Sequence, residues 1–183
     1  AGWRLDVADE LSDRFLDEFR DSVKAASEGE ALLIGEVWEN AADKIAYGKR
    51  RRYFQDGQLD SVMNYPLRTA ILSFCTTGQA EPLYHTLTEL YASYPEPVCH
   101  ALMNLLGTHD TERVLTALGD GLDPATADRA ETLTNAEKAV TRLSPDVRAE
   151  ACKRLRLAAT IQFTVYGVPS IYYGDEAGME GYG

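Results

Sequence analysis

Three carboxylates stand where they could do chemistry. Asp6 lies within the alternating run Trp3-Arg4-Leu5-Asp6-Val7, Glu36 directly follows the apolar run Ala31-Leu32-Leu33-Ile34-Gly35, and Asp110 comes just past Ala101-Leu102-Met103-Asn104-Leu105-Leu106. If these runs are parallel strands, each acid falls at the edge where such sheets expose reactive groups. Two carboxylates flanking a glycosidic bond are the minimum equipment for its hydrolysis, one as nucleophile or base and one as acid. Arg4, two residues before Asp6, shares its strand face and is placed to pair with it. His109 adjoins Asp110, and Trp38 and Tyr65 fall at equivalent heights, where aromatic rings stack on sugars about as readily as they pack in a core. A lone acid after a strand is more often a helix cap or surface group. Three of them at three strand ends shift the balance toward a site.

The elements that would position these acids alternate between strand and helix. After the first strand, Leu11, Phe15, Phe19 and Val23 recur every fourth residue, predicting a helix over Glu10 to Ala26. The second strand, Ala31 to Gly35, is followed by polar, helix-compatible sequence, which suggests a second βα unit. Ser61 to Tyr65 reads as a third strand with a helix from Leu67 to Phe74, and Tyr84 to Tyr94 as an extra helix closed by Pro95 and Pro97. A fourth strand at Ala101 to Leu106 precedes a short helix at Glu112 to Leu118 and a loop over residues 119 to 135. Ser144-Pro145 is a helix start, with Val147, Ala151, Leu155, Ala158 and Ala159 along one face, and Val168 to Tyr172 is a fifth strand. Five strands alternating with helices predict a parallel α/β architecture. At 183 residues the chain is shorter than a complete (β/α)₈ barrel of roughly 200 to 250.

Composition narrows the function. The net charge of −11 repels phosphate backbones and anionic lipid, so neither nucleic acid nor a membrane is an expected partner. The one basic cluster, Lys49-Arg50-Arg51-Arg52, reads as a solvated helix face rather than a binding patch. Cys75, Cys99 and Cys152 are odd in number and widely spaced, arguing against a disulfide framework or a zinc ribbon. With no stretch of about 18 apolar residues and no basic-then-apolar leader, a cytoplasmic location is expected. Asp120-Gly121-Leu122-Asp123 hints at a calcium loop but lacks the acidic spacing of an EF-hand. His85 and His100 have no partner at metal-ligand spacing, and Ser170 lacks the G-x-S-x-G context of a serine hydrolase. The Gly-rich stretch 174 to 183 is not a phosphate loop.

Four segments, in order, carry a resemblance: Gly2-Trp3-Arg4-Leu5-Asp6-Val7-Ala8, Gly35-Glu36-Val37-Trp38, Thr108-His109-Asp110-Thr111, and Gly167-Val168-Pro169-Ser170-Ile171-Tyr172-Tyr173-Gly174-Asp175-Glu176. Together they resemble the α-amylase family, glycoside hydrolase family 13. Met63-Asn64-Tyr65-Pro66 and Leu105-Leu106-Gly107 look most like its neopullulanase and cyclomaltodextrinase branch. The resemblance covers nearly the whole chain. It implies that the strands are the fourth to eighth of a (β/α)₈ barrel, the C-terminal portion of that domain. The first three strands and the C-terminal β-domain of the family would then be absent.

By the same resemblance, Asp6 is the nucleophile, Glu36 the general acid/base and Asp110 the third carboxylate, which holds sugar hydroxyls and stabilises the transition state. Arg4 orients Asp6, His109 hydrogen-bonds the sugar, and Trp38 and Tyr65 contact substrate. The implied reaction is retaining hydrolysis of α-1,4-glucosidic bonds in maltodextrins, cyclomaltodextrins or pullulan. No cofactor or metal ligand is implied, although a longer parent could hold a structural calcium. Thr108 stands where many relatives have Asn, and Asp9 where this branch commonly has Asn, departures that bear on preference more than chemistry. An alternative is a non-catalytic member of the fold that serves as a binding or partner module. A five-strand portion would be inactive alone, and its exposed barrel edges should promote self-association.

Overall fold

The computed structural model describes residues 1–55, 57–126 and 132–182. Among the described residues, seven strands and seven helices follow one another as β1 (Gly2–Leu5), α1 (Asp13–Ala26), β2 (Leu32–Gly35), β3 (Ile45–Ala46), β4 (Lys49–Arg50), β5 (Ser61–Val62), α2 (Tyr65–Thr77), α3 (Ala80–Ser93), α4 (Glu96–His100), β6 (Met103–Leu105), α5 (Val114–Asp120), α6 (Asn135–Val140), α7 (Pro145–Thr164) and β7 (Val168–Ser170). The chain divides into two compact units. The first comprises Ala1–Pro66, Leu87–Asn104 and Tyr166–Val168, and the second Leu67–Thr86, Leu105–Val165 and Pro169–Gly183.

The first unit is built on parallel strands. β1 lies beside β2 with Gly2 opposite Leu32 and Leu5 opposite Gly35, and β2 lies beside β5 with Gly35 opposite Val62. A parallel bridge from Met63 to Met103, and the Asn64 amide donating to the Met103 carbonyl at 2.9 Å, carry the order on to β6. The Val168 amide donates to the Leu102 carbonyl at 2.7 Å and brings in β7. Leu33, Val37, Val62, Met63 and Leu102 are buried along these strands, as continuous apolar runs in a parallel sheet require. Gly35 is needed where it stands: a Cβ there would come within 2.5 Å of Leu59 Cδ1. Asp60 fastens α1 to this sheet, accepting hydrogen bonds from the Leu33 amide at 2.8 Å, Lys24 Nζ at 2.9 Å and Arg20 at 3.1 Å. Burial opposes its charge, but those donors outweigh burial and hold its carboxyl below the usual carboxylate range.

Four expectations need correction. Helix α1 starts at Asp13, because Ser12 caps it by accepting from the Phe15 amide at 3.2 Å, and Ala8–Glu10 form a separate 3₁₀ turn. Its buried residue is Leu16, at 1% exposure, whereas Phe15 is 44% exposed and stacks on Phe19. Among the described residues no helix lies between β2 and β5; the short antiparallel ribbon β3–β4 forms there instead. The basic cluster is therefore not a helix face. Arg51 is 7% exposed and donates to the Leu11 carbonyl at 2.5 Å, and Arg52 pairs with Asp17 at 3.1 Å.

In the second unit α5 packs against α7 over Leu115, Leu118, Ala151 and Ala158, all buried. Ser144 caps α7 as expected, accepting from the Val147 amide at 3.4 Å. Within the expected loop 119–135, residues 127–131 lie outside the described residues. At the end of that stretch, α6 begins at a capping box, in which Thr134 accepts from the Glu137 amide and Glu137 accepts from the Thr134 amide. Asp120 accepts from the Tyr182 hydroxyl at 2.7 Å. All three cysteines are free, and no described helix is long and apolar enough to cross a membrane.

Candidate functional site

At the C-terminal ends of β1 and β2, the first unit gathers five of the seven candidate residues. Arg4 is on β1, Asp6 is one residue past the strand end and not within it, and Glu36 follows β2 directly. The parallel register sets Leu5 opposite Gly35, so Asp6 and Glu36 leave their strands at the same height. One guanidinium then serves both acids. Arg4 pairs with Asp6 through one terminal nitrogen and with Glu36 Oε2, at 2.9 Å, through the other. Its Nε donates to Met63 Sδ at 3.4 Å, which fixes the plane of the fork.

The two carboxylates differ in setting. The Asp6 side chain is 72% exposed and the Glu36 side chain 5%. Glu36 is held by the ion pair with Arg4 and by two donors, the Val7 backbone amide at 2.8 Å and Trp38 Nε1 at 3.2 Å. The Val7 amide reaches Glu36 because Val7 adopts a left-handed conformation, φ 41° and ψ 62°. For a β-branched residue that conformation is costly, about 1–3 kcal/mol, and such strain gathers at functional sites. Sequence reasoning missed both Val7 and Met63, since neither type signals a polar role. Trp38 stacks on Tyr65 with ring centroids 4.0 Å apart. Tyr65 is 3% exposed, so Trp38, 48% exposed, provides the open aromatic surface and Tyr65 backs it.

His109 and Asp110 belong to the second unit and pair with each other, His109 Nε2 to Asp110 Oδ2, at 3.2 Å. They sit on a tight turn in which the Asp110 amide donates to Thr108 Oγ1 at 3.2 Å and the Thr108 amide to Thr111 Oγ1 at 3.1 Å. Thr108 is thus the residue that shapes this turn. Asp9 is engaged as well, by the Tyr53 hydroxyl at 2.5 Å and Lys44 Nζ at 3.0 Å. Among the described residues, no group of three His, Cys, Asp or Glu side chains is placed to hold a metal ion.

A family model for the α-amylase catalytic domain matches residues 1–138. The chain belongs to the α-amylase family. This α-amylase-family chain is 36% identical to a cyclomaltodextrinase of Thermoanaerobacter pseudethanolicus, over 98% of its own length and 25% of the relative's. It is 37% identical to neopullulanase 2 of Thermoactinomyces vulgaris, over 98% of its length and 24% of that protein. Among solved structures it superposes on the type III pullulan hydrolase of Thermococcus kodakarensis with a TM-score of 0.73 and 31% identity, covering 99% of this chain and 27% of that one. The α-amylase-family chain thus spans about a quarter of the length of these relatives. Its parallel strands and helices form part of the family's (β/α)₈ barrel, the fold class expected from the sequence.

Proposed function

We propose that this chain carries the reacting carboxylates of a retaining glycosidase that cleaves α-1,4-glucosidic bonds in maltodextrins, cyclomaltodextrins or pullulan. The observation that carries the reading is the Arg4 fork, which holds an exposed and a buried carboxylate together at two adjacent strand ends. Family membership and relatives named cyclomaltodextrinase and neopullulanase support the substrate class.

In this reading Asp6, open to solvent and kept in one orientation by Arg4, attacks the anomeric carbon and forms a glycosyl-enzyme. Glu36 protonates the leaving oxygen and then removes a proton from the water that releases the sugar. The Val7 amide and the Trp38 indole hold Glu36 in place through both steps. Trp38 stacks on a glucosyl ring, with Tyr65 fixing its tilt. Asp110 and His109 bind sugar hydroxyls through the reaction. No metal or cofactor is needed for these steps. The chain alone lacks part of a barrel, so turnover belongs to a longer protein that includes it.

The test is proton NMR of maltotriose or a cyclomaltodextrin during cleavage by the longer protein. Newly formed reducing ends that appear first as the α-anomer fit the proposal. Ends that appear first as the β-anomer overturn the retaining assignment. Absence of cleavage overturns the enzymatic one and leaves the fold as a binding module.

A further inference from the structure

A second pocket in the first unit lies well away from Asp6 and Glu36 in the topology. Its volume is about 370 Å³, and its walls are Tyr91, Tyr94, Glu96, Cys99, His100 and Tyr166. His100 precedes β6 and Tyr166 precedes β7, so these residues enter from the N-terminal ends of strands, whereas Asp6 and Glu36 follow C-terminal ends. We propose that this pocket binds a glucosyl unit of an α-glucan without cleaving it, with the sugar stacked on Tyr166 and hydrogen-bonded by His100 and Glu96. The choice of sugar rests on the function proposed above.

The geometry suits a hydroxylated pyranose ring laid with its C–H face on an aromatic platform. Tyr166 packs edge-to-face against Tyr91 at 5.4 Å and against His100 at 5.2 Å, with interplanar angles of 88° and 85°. Rings that close leave no gap between them for a cation, which rules out an aromatic cage. Tyr166 remains 59% exposed and offers its own surface for stacking. Polar groups surround it. His100 Nε2 and Glu96 Oε1 are 3.6 Å apart on adjacent turns of α4, and both side chains are exposed. The Tyr91 hydroxyl is buried beside the Tyr166 backbone and backs the platform from beneath, out of reach of a ligand. An apolar platform ringed by a few polar groups, in a volume within the roughly 300–1,000 Å³ typical of ligand sites, is how small hydroxylated molecules are recognised.

The platform is also rigid. Asn64 Nδ2 donates to Asn104 Oδ1 at 2.9 Å, and Asn104 Nδ2 donates to the Tyr166 carbonyl at 2.8 Å. The next residue, Gly167, has φ 117°, and a Cβ there would lie 2.6 Å from Asn104 Nδ2. A ring mounted on a backbone pinned to two strands loses little freedom on binding. This gives buried Asn64 and Asn104 a use that a purely apolar strand would not supply.

The experiment is a titration of the full chain with maltotriose, followed by NMR at the His100 imidazole, the Tyr166 ring and the Trp38 indole. Saturable shifts at His100 and Tyr166 are expected. Tyr166→Ala should weaken them about tenfold, Tyr166→Phe should leave them unchanged, and Glu96→Ala should weaken them about threefold. Glu96 is exposed, so its truncation spares the core and decides the matter even if Tyr166→Ala fails to fold. His100 and Tyr166 signals unmoved up to about 50 mM maltotriose, well above a millimolar affinity, overturn this site. If Trp38 moves while they do not, the cleavage site survives and the second site alone falls. If none moves, this second site falls, and the cleavage reading stands or falls separately on the anomer released by the longer protein.

Discussion

Within the first unit, two carboxylate clusters use the same parts for opposite ends. Asp60 and Glu36 each accept hydrogen bonds from a strand or turn amide and lie against a cation, yet Asp60 ties elements together whereas Glu36 shares its cation with a second acid. Asp60 collects Arg20, Lys24 and the Leu33 amide, so each of its oxygens is engaged and α1 is locked to β2. At the other cluster Arg4 is divided between Glu36 and Asp6, and Asp6 is left 72% exposed. A carboxylate whose contacts are all internal serves the fold. One that is oriented from a single side and open on the other has capacity to react. Backbone strain follows the same division, since the left-handed Val7 belongs to the Arg4 cluster.

The largest effect separates the clusters by activity. In the longer protein, Asp6→Asn and Glu36→Gln should each lower turnover of maltotriose by about 10²–10⁴-fold or more, while Asp6→Asn shifts stability by no more than about 0.5 kcal/mol, as exposed changes do. Asp60→Asn should behave in reverse, leaving the chemistry intact and weakening the fold. Turnover and melting curves measured on the three variants decide this. Near-normal turnover in Asp6→Asn would remove the contrast altogether.

The next effect concerns which face of α1 does the packing. Leu16→Ala should cost about 2–5 kcal/mol, the range for emptying a buried aliphatic site. Phe19, only half-buried, should cost less when cut to Ala, about 1–2 kcal/mol from its partial burial. Urea unfolding of the two variants gives the order. An equal or larger loss at Phe19 would mean that the aromatic row of Trp3, Phe15 and Phe19 carries the contact between α1 and the sheet.

That reversal shows where the sequence was legible. Phe15 and Phe19 fall four apart with Leu11 and Val23, so their period predicted a helix correctly, but period alone cannot tell which apolar residues meet the sheet and which stack on one another. The apolar runs Ala31 to Gly35 and Ala101 to Leu106 announced parallel strands, although Leu32 on β2 remains 46% exposed while Leu33 is buried. Ser144-Pro145 announced α7 because a cap is a local device. The capping box Thr134 to Glu137 was equally local and was overlooked inside a stretch read as loop. Arg51, Arg52 and Asp60 were opaque for another reason. The partners named above lie 27 to 40 residues away, and a charge in sequence carries no mark of a distant partner. The Arg4–Asp6 pair was legible because alternation puts i and i+2 on one face, but its extension to Glu36 needed the strand register.

A smaller effect is the pH dependence of the Asp60 cluster. The folded carboxyl titrates below its unfolded value, so its contribution is present above the unfolded pKa and is lost as pH falls through the folded one. Near neutral pH, Asp60→Asn should cost about 1–3 kcal/mol, the range for hydrogen bonds to a charged group. The gap between wild type and Asn should then close as the medium is acidified below the usual carboxylate range. Urea midpoints measured from neutral to acid pH check this. A gap that is constant with pH would mean that shape, and not charge, holds α1 to β2.

The smallest effect probes the strain itself. Val7→Gly removes the steric cost of the left-handed backbone, about 1–3 kcal/mol, and returns about 0.5–1 kcal/mol through the greater freedom of glycine in the unfolded chain. Val7 is 46% exposed, so little burial is lost. The net expectation is a gain of about 1 kcal/mol in stability, read as a higher urea midpoint at unchanged slope. The amide that donates to Glu36 survives the change, so the hydrogen bond remains possible while the conformation that aims it is no longer imposed. Turnover should therefore fall by a few fold as stability rises. If both rise together, the left-handed turn is a by-product of the chain path from β1 into the 3₁₀ turn. If stability rises and turnover falls, the strain is what keeps Glu36 in register with Asp6, and the contrast with the unstrained Asp60 cluster is one of function.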